Sequence, residues 1–459
     1  MAIFGRKKTF LSEGKRFLGI MLYEEALRQL NQSIERRENL NEAYFYCAAA
    51  SFLKTDMSAA KKFLGMLIDL NPDPKTIKMI CDLTGMKKLV SNKYRNALPC
   101  FSRDGKRIVF ASSRKKIGNS IVNNNTGIYI VDVDTGEEFQ VVKDEFNNYM
   151  PFFSPDGNKI VFLSRRRDTN NDGMINNLDN PGIYVIDTDG KNEKCIVSDK
   201  YFNKHPSFSP DGMHVVFTSW RGSNSGIYIM NSNGTDEKQI VTDAYDNTFP
   251  SFSPTGQYII YTSWRRDTNK DGRIDFRDNS GIYITDVNMK NEKLCVSDRH
   301  NNSFPRFSPD GTRILYLCTT RDTNHDGRID SLDNNNIFIS DLNGKNIKCV
   351  SSDKYYNKMP TFSYDGRKIA FLSGVDDSND MSKAFFSPKG IYMAEANGKN
   401  RVQLLSDKFW GSSFVLFSPV ENKLLYMCFR KGTNRGINIM DIGRTPSLEE
   451  VKEFINNLD

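Results

Sequence analysis

The stretch FSPDGNKIVFLSRR, residues 153–166, decides the fold, because variants of it recur along most of the chain. Its leading phenylalanine has counterparts at positions 101, 153, 208, 252, 307, 362 and 417. The intervals between them are 52, 55, 44, 55, 55 and 55 residues. A near-constant interval of this size indicates one structural unit repeated along the chain.

Each copy carries the same order of turn and strand signals. An apolar run follows the Ser-Pro-Asp-Gly-like turn, then an Ile-aromatic run such as GIYVID (182–187) and a short run such as CIVSD (195–199). Short β-branched runs between tight turns form antiparallel strands. Each copy therefore predicts a sheet of four strands, A to D, and such repeats are typical of propeller blades.

The number of blades follows from a count of these runs. Runs of types A, B and C occur seven times after Pro99, whereas type D occurs six times there and the repeat stops at Gly443. The missing D run lies upstream, since LVSNKYRNALP (89–99) matches IVSDKYFNKHP (196–206) at six positions. The sequence predicts seven blades, the last of them closed by an N-terminal strand so that no sheet edge stays open at the junction.

The FSPDG and GIY motifs recur as a pair with their apolar runs. This pair resembles the motifs of the TolB-like, WD-repeat-like propellers of bacteria. The resemblance covers most of the chain after residue 87. It implies a binding platform, and it names no ligand, because one fold supports many functions.

The segment before the propeller has helical apolar spacing. YEEALRQL (23–30) aligns with MSAAKKFL (57–64) at an offset of 34 residues, with small residues at matching places. This resembles tetratricopeptide repeats, helical units that bind partner proteins in a groove; a plain helical bundle is the alternative. The tail TPSLEEVKEFINNLD (445–459) has a capping pattern and an apolar stripe typical of a helix.

The predicted fold class is therefore multidomain α and β. A tetratricopeptide-like helical domain is expected at 9–86, a seven-bladed TolB-like propeller at 87–443, and an amphipathic C-terminal helix at 444–459.

Three acidic, glycine-centred segments are inserted between B and C runs: DTNNDGMINNLDN (168–180), DTNKDGRIDFRDN (267–279) and DTNHDGRIDSLDN (322–334), here called acidic loops 1, 2 and 3. Oxygen-bearing residues fall at loop positions 1, 3, 5, 9 and 12, with glycine at position 6 and a backbone carbonyl at position 7, as in calcium loops. The predicted ligands are Asp168, Asn170, Asp172, Met174, Asn176 and Asp179; Asp267, Asn269, Asp271, Arg273, Asp275 and Asp278; and Asp322, Asn324, Asp326, Arg328, Asp330 and Asp333.

These loops resemble EF-hand loops, most closely the dockerin kind, which implies Ca²⁺ at up to three sites. Position 12 is Asp rather than Glu in each loop, and the shorter side chain predicts weaker binding. Ile175, at position 8, is expected to pack inward. The alternative is that segments rich in Asp, Asn and Gly only form turns.

In an antiparallel blade, the B–C and D–A connections lie on one face, so the acidic loops share a face with the D–A connections. An aromatic or histidine residue recurs in these connections: Tyr94, Phe146, Tyr201, Tyr245, His300, Tyr355 and Phe409. This ring predicts a partner-binding surface. The alternative is that the rings separate neighbouring blades.

Composition limits the function classes. The 63 basic and 56 acidic residues are spread along the 459-residue chain, which gives no clustered positive charge of the kind that binds nucleic acid, and no apolar run is long enough to span a membrane. No nucleophile-elbow, phosphate-loop or HExxH motif is found, and the four histidines are scattered. The favoured prediction is a non-enzymatic scaffold that binds other proteins through the helical repeats and the propeller face. A small-ligand or glycan-binding propeller is the alternative, and a polysaccharide-active enzyme is less favoured.

Cysteine use bears on localisation. The eight cysteines form no CxxC pair, and Cys195, Cys295 and Cys349 fall in apolar runs, where they are expected to be small buried side chains. This pattern, with no secretory signal, predicts the cytoplasm. A periplasmic or extracellular location by an unrecognised route is the alternative, since calcium is plentiful there.

Overall fold

The structure is a computed structural model of the chain. It describes residues 23–53, 63, 86–91, 93–114, 126–143, 145–242, 244–275, 277–288, 290–323, 327, 329, 333–351, 356–374, 390–405, 411–429 and 436–442.

Strands dominate the described residues. Twenty-eight strands form seven antiparallel sheets of four strands each. In chain order they are β1 (Met86–Val90), β2 (Arg95–Phe101), β3 (Arg107–Ser113), β4 (Gly127–Asp132), β5 (Glu138–Val142), β6 (Asn147–Phe153), β7 (Lys159–Arg165), β8 (Gly182–Asp187), β9 (Lys194–Val197), β10 (Phe202–Phe208), β11 (His214–Trp220), β12 (Ser225–Asn231), β13 (Lys238–Val241), β14 (Asn247–Phe252), β15 (Tyr258–Ser263), β16 (Gly281–Asp286), β17 (Lys293–Val296), β18 (Asn301–Phe307), β19 (Arg313–Thr319), β20 (Asn336–Asp341), β21 (Lys348–Cys349), β22 (Tyr356–Phe362), β23 (Lys368–Gly374), β24 (Gly390–Glu395), β25 (Val402–Leu405), β26 (Gly411–Phe417), β27 (Lys423–Phe429) and β28 (Gly436–Asp441).

The sheet order confirms the predicted seven blades and their closure. Blades 1 to 6 each take four consecutive strands, from β2–β5 through β22–β25, in the order A–B–C–D. Blade 7 has the order β1-β28-β27-β26, so the N-terminal strand β1 occupies the D position beside the last C strand. Pairing the two ends of the propeller in one sheet removes the open edge that β28 would otherwise present.

Apolar layers between neighbouring blades form the core. Val109 and Ile128 of blade 1 pack in one cluster with Phe153 and Ile160 of blade 2, and the later blades repeat this arrangement. Strands B and C of blades 1 to 6 each contribute a stacked aromatic pair, such as Phe162 and Tyr184 with ring centroids 5.7 Å apart. Each fully buried large side chain stabilises the fold by about 1.5–3 kcal/mol.

The predicted multidomain α and β class with helical repeats is wrong. The described residues contain two short helices, α1 (Tyr23–Glu35) and α2 (Leu40–Leu53), and about half of the chain is strand. Two helices make one hairpin, whereas helical repeats need about three stacked pairs for a continuous core. From Phe45 to Ala50 every side chain of α2 except Tyr46 is fully buried, so this part of the helix is covered on all sides.

Two other predicted segments fall largely or wholly outside the described residues. They are the second helical repeat at 57–64, of which only Phe63 is described, and the C-terminal helix at 444–459. By its contacts the chain divides into two compact units, Leu89–Asn438 and the combination of Met1–Lys88 with Ile439–Asp459. Neither described helix is long and apolar enough to cross a membrane.

Candidate functional site

A recurring buried asparagine holds the B–C and D–A connections together on one face of the propeller. In blade 3, Asn203 Nδ2 donates to the carbonyl oxygens of Pro181, Ser198 and Tyr201 at 2.9, 3.0 and 2.9 Å. Pro181 ends the B–C connection of blade 2, and the other two acceptors belong to the D–A connection. Asn247 and Asn302 make the same three kinds of contact in the next two blades. We call this surface the loop face.

Acidic loop 1 is organised by hydrogen bonds from its backbone to its own side chains. Asp168 Oδ2 accepts from the Gly173 N–H at 2.7 Å, and Asp172 Oδ1 accepts from the Met174 N–H at 2.9 Å. Gly173 has a φ of +83°, a left-handed conformation that favours glycine, as expected for loop position 6. The loop is therefore a defined turn rather than an extended connection.

Two predicted ligands of acidic loop 1 contact the carboxylate of a third. Asn170 Nδ2 and Asn176 Nδ2 lie 3.1 and 3.0 Å from Asp172 Oδ2. Each asparagine donates its amide N–H here, and reversal of the amide would turn its oxygen to the same point. The side chains at positions 3, 5 and 9 thus lie within hydrogen-bond distance of one another at the loop tip.

The side chain at position 12 makes hydrogen bonds to the backbone of its own loop. The Asp179 carboxylate is fully buried and accepts from the backbone N–H groups of Thr169 at 2.6 Å and Asn176 at 2.7 Å. Burial alone would raise the pKa of Asp179, but these and other hydrogen bonds outweigh it and hold that pKa below its usual value. Asp179 fastens the two ends of the loop. Thr169, which sequence reasoning missed, joins the same cluster; its presence in all three copies was the available signal.

Acidic loops 2 and 3 repeat this arrangement in their described residues. The position 1 carboxylates of Asp267 and Asp322 each accept from the glycine N–H at position 6, at 2.9 Å. The position 12 carboxylates of Asp278 and Asp333 are fully buried and each accept from the backbone N–H of the threonine at position 2. Asn324, Asp326, Arg328 and Asp330 lie outside the described residues.

The donor set suits a hard cation, with one restriction. In the described part of the chain, no three His, Cys, Asp or Glu side chains are grouped so that they could hold a metal ion. Apart from Asp179, whose carboxylate accepts backbone hydrogen bonds, the predicted donors of loop 1 are two carboxylates, two amides and the Met174 carbonyl. These are all oxygen donors of the kind that Ca²⁺ takes.

The acidic loops also hold apolar side chains out in solvent. Met174, Ile175 and Leu178 are 62%, 46% and 76% exposed, and Ile274 and Ile329, at position 8 of loops 2 and 3, are exposed as well. The expectation that Ile175 packs inward is wrong.

The aromatic residues of the D–A connections stack on arginines at the ends of strands B. Arg114, Arg166 and Arg221 lie 5.0–5.3 Å from the rings of Tyr94, Phe146 and Tyr201, respectively. The same pattern holds for Tyr245 and Arg265 at 5.8 Å. These four rings are half-buried, which favours a packing role; His300 is exposed, and Tyr355 and Phe409 lie outside the described residues.

Sequence reasoning missed a ring of residues on the innermost strands. In blades 1 to 6, strand A has a register shift at the residue before its proline, and this residue has a φ of 49–55°. We call these residues the channel ring: Leu98, Met150, His205, Phe249, Phe304 and Met359. Rings from successive blades touch, with Phe249 centred 4.3 Å from His205 and 3.9 Å from Phe304. A bulky residue repeated before proline was the available signal.

Comparison with known proteins agrees with this architecture. Residues 174–276 match the family described as TolB beta propeller domain. An uncharacterized protein of Agrobacterium fabrum is 28% identical over 136 residues, 30% of this chain and 40% of that protein. The chain thus matches well under half the length of this curated relative.

Solved structures show the same fold at low identity. An oligogalacturonate lyase in complex with manganese is 12% identical, with a TM-score of 0.56 over 78% of this chain and 92% of that one. The propeller domain of the Trilobed protease from Pyrococcus furiosus is 14% identical, with a TM-score of 0.54 over 77% and 97%. The acylaminoacyl peptidase of Pyrococcus horikoshii is 13% identical, with a TM-score of 0.53 over 78% and 54%. With the blade count, these likenesses show that the strand-rich part of the chain has the fold of a seven-bladed β-propeller, within which residues 174–276 match the TolB beta propeller domain.

Proposed function

We propose that the loop face is a protein-binding platform whose acidic loops are stabilised by calcium, and that the protein acts without catalysis. The observation that carries this proposal is the set of exposed apolar side chains at the tips of the acidic loops. Apolar groups held in solvent by an ordered, hydrogen-bonded loop form a surface that a partner can cover.

The hydrogen-bonded order of the loops supports the choice of calcium. Asp168 and Asp172 keep their carboxylates within one tight turn, and the amides of Asn170 and Asn176 are close enough to add oxygen ligands. A bound cation would neutralise the carboxylates and fix the loop tip. Such a site favours a location rich in calcium, so we propose the periplasmic or extracellular alternative over the cytoplasm.

Enzymes occur among the structurally similar proteins, so catalysis is the competing hypothesis. Their identities to this chain are 11–14%, which shows the fold alone. The non-enzymatic role is our choice because the exposed features of the loop face are apolar and acidic, and its arginines lie against aromatic rings.

Thermal unfolding with calcium, magnesium or chelator tests the metal part. Excess calcium should raise the free energy of unfolding by about 2.7 kcal/mol at a hundredfold excess over Kd. The melting midpoint should rise accordingly, and chelator should reverse the rise. The triple variant Asp168→Asn, Asp267→Asn, Asp322→Asn keeps a hydrogen-bond acceptor at each position 1 and should lose the rise. The control Asp134→Asn, Asp189→Asn, Asp236→Asn changes the same charge on C–D turns and should retain it. An unchanged midpoint in the parent protein would refute calcium binding.

Affinity capture from the native source tests the partner part. Proteins that bind in calcium should be lost with the variant Ile175→Ser, Ile274→Ser, Ile329→Ser. They should be retained with Met213→Ser, Val420→Ser, which removes exposed apolar groups from A–B turns on the opposite face. Equal capture by both variants would contradict the loop face as the binding surface.

A further inference from the structure

In the described part of the chain, a cation without an ion-pair partner lies beyond the channel ring. Arg306 is two residues after Phe304 in β18, about 7 Å further along the strand, toward the A–B turns. The residues at the equivalent register position of the other strands A are uncharged: Cys100, Phe152, Ser207, Ser251, Thr361 and Leu416. A single positive charge therefore stands at this level of the propeller.

Arg306 reaches into the central channel. The residue is solvent-exposed, yet its charge interacts with Cys100, which belongs to blade 1, whereas Arg306 belongs to blade 5. These blades are not neighbours in a ring of seven, and both residues stand on innermost strands, so both side chains lie near the centre of the ring. Surrounding protein penalises the charge and lowers the pKa of Arg306.

No anion in the described residues compensates this charge. The ion pairs and side-chain hydrogen bonds of the described part of the chain include none to the Arg306 guanidinium, and no carboxylate raises its pKa against the effect of burial. By contrast, Arg266 forms a two-pronged pair with Asp298 at 2.6 Å, and Arg265 pairs with Glu292. A partly desolvated guanidinium without an anionic partner can still form strong, charge-assisted hydrogen bonds with a bound anion.

The channel ring supplies an apolar neighbour for whatever binds there. Phe304 and Leu98 are 42% and 36% exposed, although both stand on the innermost strands. Burial lowers the pKa of His205 to about 3, so the histidine of the ring is uncharged at neutral pH. The channel ring therefore forms an apolar zone. The positive charge of Arg306 lies next to this zone, two residues further along β18.

We propose that the central channel binds a carboxylate carried on an apolar group, with the carboxylate on the Arg306 guanidinium and the apolar group on the channel ring. A planar guanidinium matches a carboxylate through two parallel hydrogen bonds, and one cation among neutral residues suits a monoanion. The carboxylate belongs either to the C-terminus of a peptide or to a free organic acid. This site goes beyond the loop-face function, because it needs neither the acidic loops nor calcium.

Binding of three probes to the full chain tests this site by calorimetry. They are the peptide acetyl-Gly-Phe-Leu with a free C-terminus, the same peptide as its C-terminal amide, and 4-phenylbutyrate. The free-acid peptide, phenylbutyrate or both should bind, and the amide should bind roughly tenfold or more weakly, because a hydrogen bond to a charged group is lost. Tighter binding of the peptide identifies a chain end as the ligand, and equal or tighter binding of phenylbutyrate identifies a free acid.

Variants locate the site. Arg306→Gln should abolish the preference for acid over amide, Arg306→Lys should keep part of it, and Lys191→Gln, which removes one charge from an exposed C–D turn, should keep all of it. Chelator should leave binding unchanged, which separates this site from the calcium loops. Equal binding of acid and amide, binding of neither acid, or a preference that survives Arg306→Gln would overturn the proposal. The acid–amide comparison needs no variant and stands even if one fails to fold.

Discussion

At the scale of single residues, the serine and aspartate of the Ser-x-Asp-Gly turn explain why this motif marks every blade from 1 to 6 except blade 4. Ser154 Oγ donates to Asp156 Oδ1 at 2.5 Å, and Asp156 Oδ1 also accepts from the Asn158 N–H at 3.1 Å. Gly157 follows with a φ of +71°, which a side chain would strain. Blade 4 has Thr255 in place of the aspartate, where its hydroxyl lies 3.1 Å from Ser253 Oγ.

These turns predict a pH dependence of stability. The hydrogen bond from Ser154 holds the pKa of Asp156 below 3.8, and Asp104, Asp211 and Asp365 are lowered for the same first reason. A folded-state pKa below the unfolded value adds stability above the unfolded pKa, and this is lost as pH falls through the folded pKa. The melting midpoint should therefore fall on acidification from pH 5 to about 3.

A matched variant isolates the contribution of the turns. Asp104→Asn, Asp156→Asn, Asp211→Asn and Asp365→Asn together keep an acceptor oxygen in each turn but remove the titrating group. The variant should lose less stability than the parent protein over the acid range. An identical acid profile would show that other carboxylates set it.

Cysteine environments were less predictable than turns. Cys295 is buried as expected, but Cys195 and Cys349 are exposed, in the outermost strands β9 and β21. An apolar run predicts a strand, yet in an edge strand alternate residues face solvent. Burial of an individual thiol depends on this register, which composition does not give.

At the scale of elements, the buried asparagines of strands A are the joints between blades. Asn203→Ala removes three hydrogen bonds and leaves carbonyl oxygens of two connections without that donor. The free energy of unfolding should fall by about 1–3 kcal/mol. Denaturant unfolding measures it, with Asn158→Ala, an exposed turn residue, as a control expected to change stability by roughly 0.5 kcal/mol or less.

The strands were predictable because their signals are local, whereas roles within the acidic loops were not. Turn residues and β-branched runs fix strand positions in the sequence, and the structure confirms them blade by blade. Position 12 of a loop, however, has the same spacing whether its carboxylate faces a cation or the backbone. The two backbone hydrogen bonds that Asp179 accepts in the structure could not be predicted from that spacing.

The acidic loops carry an element-scale prediction that does not depend on a metal. Thr169→Val removes the hydroxyl that donates to Asp179 at 3.1 Å and accepts from the Asn180 N–H at 2.7 Å. Hydrogen exchange should quicken at 168–180 while the strands of blade 2 stay protected, because the change is confined to the loop. Thr188→Val, on the following C–D turn, is the control, and equal exchange in loop 1 of the two variants would contradict the role given to Thr169.

At the scale of the whole molecule, the repeat count could be predicted but the helical class could not. Seven copies of one unit leave little freedom in the architecture, because each blade must bury its faces against the next. An offset of 34 residues with a few small side chains, by contrast, fits a single hairpin as well as a repeat. The deciding quantity is how many helix pairs stack, and the two described helices form one pair.

Closure of the ring makes β1 the strand on which the whole propeller depends. Val90 is fully buried in β1, and Val197 has the equivalent position in β9. Strand β9 is also a D strand, but it follows its neighbour β8 directly in the chain and does not close the ring. Val90→Asp and Val197→Asp each bury an unpaired carboxylate and should each lower the free energy of unfolding by about 3 kcal/mol. Only Val90→Asp should also release the junction, since β28 would then present an open edge.

Hydrogen exchange in β26–β28 separates the two effects. Exchange there should quicken in Val90→Asp but stay near the parent rate in Val197→Asp, and Lys88→Asp, an exposed position on the same strand, should resemble the parent protein. Val90→Asp should also self-associate as concentration rises, because an unpaired strand edge pairs with another chain. If Val90→Asp behaved like Lys88→Asp, β1 would not be the strand that closes the ring.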